Sequence, residues 1–254
     1  STELIMASCE YNSEEEICCL LDNGYGSTIL WKMCLFGYCS TLEKGSFAAP
    51  IISNVSASAS LNCLGGDEIT IYGSNFGANS TALTVLMGSN SIQSKLTQCE
   101  FVVLHSVIRC RSVEGSGESL VFSVTVGDQS SSPFVSSLAY SPPVIQNVYG
   151  IGSANALTSG GQVVYVAGLN LGAYDGVSRL LYGNSTDLQF ETAPCDMVLP
   201  HTLLRCITSP GSGYQDRWVV EVESHRSQPF IQQTGIYGYP AVTDVDKLHI
   251  GMPP

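Results

Sequence analysis

The sequence predicts a mainly β chain: two tandem β-sandwiches behind a small Cys-rich helical N-terminal segment. A block of sequence occurs twice, about 95 residues apart, and self-similarity at a fixed period marks tandem copies of one structural unit. Within each copy, short apolar runs alternate with polar residues and are punctuated by Gly, Asn and Ser, which is the pattern of half-buried strands and turns. Residues 1–49 have a different texture, with five of the ten cysteines.

The repeat is chemical as well as textural. Pro50-Ile-Ile-Ser-Asn-Val55 returns as Pro143-Val-Ile-Gln-Asn-Val148, and Gly65-Gly66 as Gly160-Gly161. Gly73-Ser-Asn-Phe-Gly77 returns as Gly168-Leu-Asn-Leu-Gly172, and Gly115-Ser-Gly117 as Gly211-Ser-Gly213. Cys99 and Cys110 return as Cys195 and Cys206, with His105 and Arg109 between them matched by His201 and Arg205. Runs such as Glu68–Tyr72, Ser119–Val126, Gln162–Val166 and Trp218–Glu223 alternate with period two. These limits divide the chain into a head (1–49), a first sandwich (50–142), a second sandwich (143–239) and a tail (240–254).

An opening Pro-x-Ile-x-x-Val strand leads to Gly-Gly, an alternating strand, Gly-x-Asn-Phe/Leu-Gly, a Cys-to-Cys hairpin and a Gly-rich turn. This order resembles the IPT/TIG family of immunoglobulin-like domains over roughly residues 50–240. The second copy departs from the pattern with Leu171 in place of Phe. The resemblance implies two tandem immunoglobulin-like sandwiches, each of a length near the roughly 100 residues of that fold. It implies no function, because such sandwiches host many unrelated roles.

In the head, Ser13-Glu-Glu-Glu16 has the form of a capping box ahead of Ile17-Cys-Cys-Leu-Leu21, with Asn23-Gly24 as a stop signal. That pattern predicts a short helix near 14–22. Thr28–Phe36, closed by Gly37, reads as a second helix, so a cysteine-stapled helical hairpin is expected. Its apolar content, with Trp31, Leu35 and Phe36 prominent, exceeds what so small a unit buries internally. Two destinations remain open: packing on the first sandwich, or docking on another subunit.

The repeat assigns Cys99–Cys110 and Cys195–Cys206 as hairpin disulfides, each worth roughly 2–3 kcal/mol. Each Cys-x5-His-x4-Cys bracket supplies three zinc donors where a structural site needs four, so no metal is expected. The histidines then read as exposed turn residues, and Arg109 and Arg205 as solvated strand residues. Six cysteines remain: Cys9, Cys18, Cys19, Cys34, Cys39 and Cys63. Thr158 stands at the repeat-equivalent position of Cys63, so the second copy needs no partner there, and the simplest accounting bridges Cys63 to a head cysteine and pins the head to the first sandwich. Adjacent Cys18 and Cys19 should take different partners. The remaining connectivities stay open.

Three Asn-x-Ser/Thr sequons, at Asn54, Asn79 and Asn184, are candidate N-glycosylation sites; Asn54 requires an outward-facing side chain on the first strand. With ten cysteines they point to an extracellular or cell-surface location. Charged residues are only 13% of the chain, and the formal net charge is −12 without a basic patch, which argues against nucleic acid as partner. No apolar run approaches the ~20 residues of a membrane span, and no leader peptide is evident.

Enzymatic motifs are missing: there is no Gly-x-Ser-x-Gly elbow, His-Glu-x-x-His helix or phosphate-cradling loop. No cofactor is expected beyond N-linked glycans. The tail segment Ile236–Val245 echoes the seam Leu138–Val148, as if a third copy began and stopped after one strand. A lone strand needs a sheet edge to receive its backbone groups. Val242 and Val245, with Trp31, Leu35 and Phe36, are therefore candidate contacts for joining copies head to tail, although the tail would equally fold back on its own sandwich or link to a further domain. The function expected is a structural subunit of an extracellular filament or coat, with the chain itself as partner. The alternative is a receptor or adhesin ectodomain binding protein or carbohydrate through its loops.

Overall fold

The computed structural model describes residues 7–13, 16–21, 23–78, 82–88, 93–173, 178–184, 188–192, 195–213, 216–232 and 236–238. It is β throughout these residues. Two compact units divide the chain, Ser1–Ser141 and Pro142–Pro254.

The head contains no helix among its described residues, so the expected helical hairpin is wrong. It forms two antiparallel hairpins instead, β1 (Ala7–Ser13) with β2 (Glu16–Leu21), and β3 (Leu30–Leu35) with β4 (Tyr38–Glu43). Covalent chemistry explains the outcome. Cys9 lies directly opposite Cys19, and Cys34 directly opposite Cys39, and each facing pair is bridged. A bridge between facing residues holds two extended segments side by side. Phe36 and Gly37 both have positive φ, 50° and 85°, the backbone of a two-residue hairpin turn. Gly37, read as a helix stop, is the second residue of that turn.

The first sandwich packs β5 (Ile51–Ala57), β6 (Glu68–Ser74), β10 (Val107–Arg111) and β9 (Thr97–Val103), in that order, as one sheet. The other sheet runs β12 (Gln129–Ser130), β11 (Val121–Val126), β7 (Leu83–Gly88) and β8 (Gln93–Lys95), with β13 (Phe134–Val135) also on β11. Alternation places Ile69 and Ile71 of β6 inward against Val85, Met87, Ile108, Phe122 and Val124.

The second sandwich repeats this topology. One sheet is β14 (Val144–Tyr149), β15 (Val163–Leu169), β19 (Leu203–Ile207) and β18 (Asp196–Leu199). The other is β17 (Phe190–Glu191), β16 (Ser178–Gly183), β20 (Arg217–Val222) and β21 (His225–Arg226), with β22 (Phe230–Ile231) on β20. Its core replaces Met87 and Phe122 by the facing pair Tyr182 and Trp218, whose rings lie 5.1 Å apart. Leu171 is fully buried where the first copy has Phe76, so the departure from the family pattern leaves the position's packing role intact.

The two copies share fine features. A bulge interrupts each opening strand pair, between Ile52 and Asn54 and between Ile145 and Asn147. Gly73 and Gly168 stand opposite it, where a Cβ would collide with the carbonyl oxygen of Ile51 or Val144. Each unit is also closed by a tyrosine. Tyr140 forms a parallel bridge with Leu61, and Tyr237 with Ala156.

Candidate assembly interface

Residues 25–27 and 47 of the head grip the tight turn between β11 and β12. The Ser27 amide donates to Asp128 Oδ1 at 2.9 Å, and the Ser27 hydroxyl donates to Oδ2. These bonds favour the charged form and hold the Asp128 carboxyl below its usual range. The Gly26 amide donates to Gln129 Oε1 at 3.2 Å, and Gln129 Nε2 donates to the Phe47 carbonyl at 2.9 Å. Tyr25 covers Gly127, where a Cβ would meet its ring at 2.6 Å.

This grip replaces the disulfide expected at Cys63, which is an incorrect expectation. Cys63 is buried and unbridged, and its thiol donates to the Ser141 carbonyl at 3.5 Å. Burial pushes the thiol up to about 11. Cys18, also expected to be bridged, is free and exposed. Neighbouring residues of a strand point to opposite faces, so only Cys19 shares a face with Cys9.

The second hairpin of the head has two unlike faces. On one, the Cys34–Cys39 bridge is flanked by Lys32, Thr41 and Glu43, with Leu30 opposite Glu43. The other carries Trp31, Met33, Tyr38 and Leu42, with Ser40 opposite Met33. Met33 is 53% exposed, Leu42 58% and Tyr38 85%. Trp31 is half-buried, and its indole Nε1 donates to the Lys44 carbonyl at 2.9 Å. Phe36, at the turn, is fully exposed, and the backbone of Leu35 pairs with Tyr38. Of the proposed contact residues, the structure thus places Trp31 and Phe36 on the exposed head, while Val242 and Val245 lie outside the described residues. Met33, Tyr38 and Leu42 were missed. Their signal was the period-two alternation on either side of Phe36-Gly37, which a helical interpretation hides.

The hairpin brackets carry disulfides Cys99–Cys110 and Cys195–Cys206. Their histidines have a backbone role: His105 and His201 adopt φ of 67° and 58°, and each exchanges main-chain hydrogen bonds with the Asn-Phe/Leu-Gly loop. His201 is 6% exposed, not the open turn residue expected. Arg109 lies 3.3 Å from a Glu68 oxygen, and Arg205 donates to Asp196 at 2.8 Å. Asn54 is exposed, as a glycosylated asparagine must be, Asn184 is half-buried, and Asn79 is outside the described residues.

Four disulfides are the covalent habit of an oxidising compartment, as extracellular and cell-surface proteins have. No helix among the described residues is long and apolar enough to cross a membrane.

Comparison with curated proteins gives no match. Among solved structures, the full extracellular region of plexin A4 is similar at 17% identity, covering 75% of this chain and 18% of that one, with a TM-score of 0.30. SGBP-B, from a complex xyloglucan utilization locus in Bacteroides uniformis, is similar at 17% identity over 75% of this chain and 49% of its own, with a TM-score of 0.28. The surface glycan-binding protein PbSGBP-B from Prevotella bryantii is similar at 14% identity, over 72% and 41%, with a TM-score of 0.44. The chain spans less than half the length of each, and likeness at this level says nothing of function. The family model of the IPT/TIG domain matches residues 50–140, from the opening Pro50 to the closing Tyr140, and the first sandwich is an IPT/TIG domain.

Proposed function

We propose that this chain is a structural subunit of an extracellular assembly, whose copies associate through the disulfide-stapled head. The observation that carries this is the exposed apolar face of the β3–β4 hairpin. A lone two-stranded ribbon is marginal in water and has two open edges, so a second hairpin beside it supplies the missing backbone partners. Trp31, Met33, Tyr38, Ser40 and Leu42 bring no formal charge to such a contact, which matters for copies that each carry −12.

Full burial of a large apolar side chain contributes about 1.5–3 kcal/mol. Three or four of them roughly offset the ~4–15 kcal/mol that association costs. One head face alone therefore supports weak, concentration-dependent association, and stable polymers need a further contact. The tail is the other candidate. No catalysis is assigned to the chain.

Sedimentation velocity over rising concentration tests the proposal, with Met33→Glu/Leu42→Glu as the variant. Both positions are exposed, so the fold tolerates the change. Wild type should form oligomers that the variant loses, and deletion of residues 240–254 should weaken them further. A wild type that stays monomeric at the highest attainable concentration, or a variant that associates equally well, overturns it.

A further inference from the structure

The outer faces of the two related sheets carry the same row of four cross-strand neighbours, with one difference. In the first sandwich the row is Ser56, Thr70, Arg109 and Glu100. In the second it is Tyr149, Tyr165, Arg205 and Asp196. The ionic half is common to both: Arg109 lies 3.7 Å from Glu100, and Arg205 donates to Asp196 at 2.8 Å. The other half is two small hydroxyl residues in one copy and two tyrosines in the other. Sandwich architecture does not demand the tyrosines, because the first copy folds in the same topology without them.

The tyrosines form one unit. Their rings are stacked, with centroids 5.4 Å apart and planes 18° from parallel. Tyr165 is half-buried and braces Tyr149, which is 43% exposed. The result is a rigid aromatic surface, open to solvent, beside a guanidinium and a carboxylate. The row crosses four adjacent strands, roughly 14 Å at the usual strand spacing.

We propose that this row is a binding platform for a neutral oligosaccharide. The axial C–H groups of a pyranose ring carry slight positive charge and pack on the negative face of an aromatic ring. Sugar hydroxyls donate and accept together, so the next ring along is matched by Asp196 as acceptor and Arg205 as donor. Anionic polymers are disfavoured by the chain's net charge of −12. A purely apolar peptide would leave the Arg205–Asp196 pair desolvated without recompense. The platform is confined to the second sandwich and does not depend on the head or on self-association.

Titration calorimetry of the full chain with neutral hexaoses (cello-, malto- and manno-) tests this, with a heparin-derived hexasaccharide as the anionic comparison. At least one neutral hexaose should bind, and Tyr149→Ala should weaken it about tenfold. Tyr149→Leu, which keeps bulk but no ring, should weaken it as much, and this separates stacking from any loss of fold. Ser56→Tyr/Thr70→Tyr should add a second binding site on the first sandwich. Absence of binding by every neutral hexaose, tighter binding of the anionic one, or full affinity in both Tyr149 variants overturns the proposal.

Discussion

The hydroxyl of Tyr140 fills the space that a side chain at position 115 would need. A Cβ on Gly115 would lie 2.6 Å from that oxygen and 2.7 Å from the ring carbon bearing it. The hydroxyl donates to the Val113 carbonyl at 2.8 Å, so the glycine turn and the closing tyrosine hold each other. Gly211 and Tyr237 repeat the arrangement, with Tyr237 donating to the Ser209 carbonyl at 2.8 Å and meeting the Tyr182 hydroxyl at 3.0 Å.

Gly115→Ala should therefore destabilise the first sandwich, and Gly211→Ala the second, by about 1–3 kcal/mol each, the usual cost of forcing a methyl into a filled space. Chemical denaturation in a Trp31→Phe background, followed by the fluorescence of Trp218, which is buried in the second core, reads the Gly211 variant selectively. An unchanged midpoint would show that the turn and the tyrosine part without cost.

The grip of the head on the first sandwich should be lost in acid. Asp128 has a lowered pKa because Ser27 hydrogen-bonds its charged form. A depressed carboxyl stabilises the docked state above its ordinary value near 3.8 and ceases to do so as pH falls through the lower, folded value. The Ser27 amide resonance should be constant from neutral pH to about 5 and move below about 4. Asp128→Asn should shift it at neutral pH while both sandwiches melt as before. An amide that ignores both acid and the substitution would remove Asp128 from the grip.

Two free thiols should react very differently. At pH 8, iodoacetamide should add once to the native protein, at the exposed Cys18, and twice after denaturation. Cys63 is protected by burial and by a thiol pKa near 11. Peptide mass spectrometry locates the adducts, and rapid native labelling of Cys63 would contradict its place in the core.

The sandwiches were legible because their signals are local and written twice. Gly65-Gly66, the bracketing cysteines and Asn-Phe-Gly each fix a turn or a hairpin whose partner lies nearby in sequence. The head misled because Ser13-Glu-Glu-Glu16 and Gly37 are valid helix punctuation in isolation. What decides its structure is which cysteines face each other: Cys34 and Cys39 are bridged across the two-residue turn at Phe36-Gly37, a spacing that closes a hairpin. Cys63 misled for the opposite reason. With Thr158 at its repeat-equivalent position, it suggested a bridge to the head, whereas it fills a core position as a small apolar side chain. The aromatic pair Tyr149–Tyr165 was out of reach of local pattern, because register between strands 16 residues apart brings those rings together.

Residues flanking Leu61 and Tyr140 exchange main-chain hydrogen bonds, Leu61 with Ala139 at 2.9 Å and Ser141 with Leu61 at 2.8 Å, and Ala156 does the same with Ile236 and Gly238. The opening and closing stretches of each unit are thus fastened to each other. During synthesis, the first unit has every residue it needs as soon as Ser141 clears the ribosome, before the second exists. A nascent chain built this way completes one sandwich before the other is made, which limits the chance that a strand of one copy is captured by the related sheet of the other.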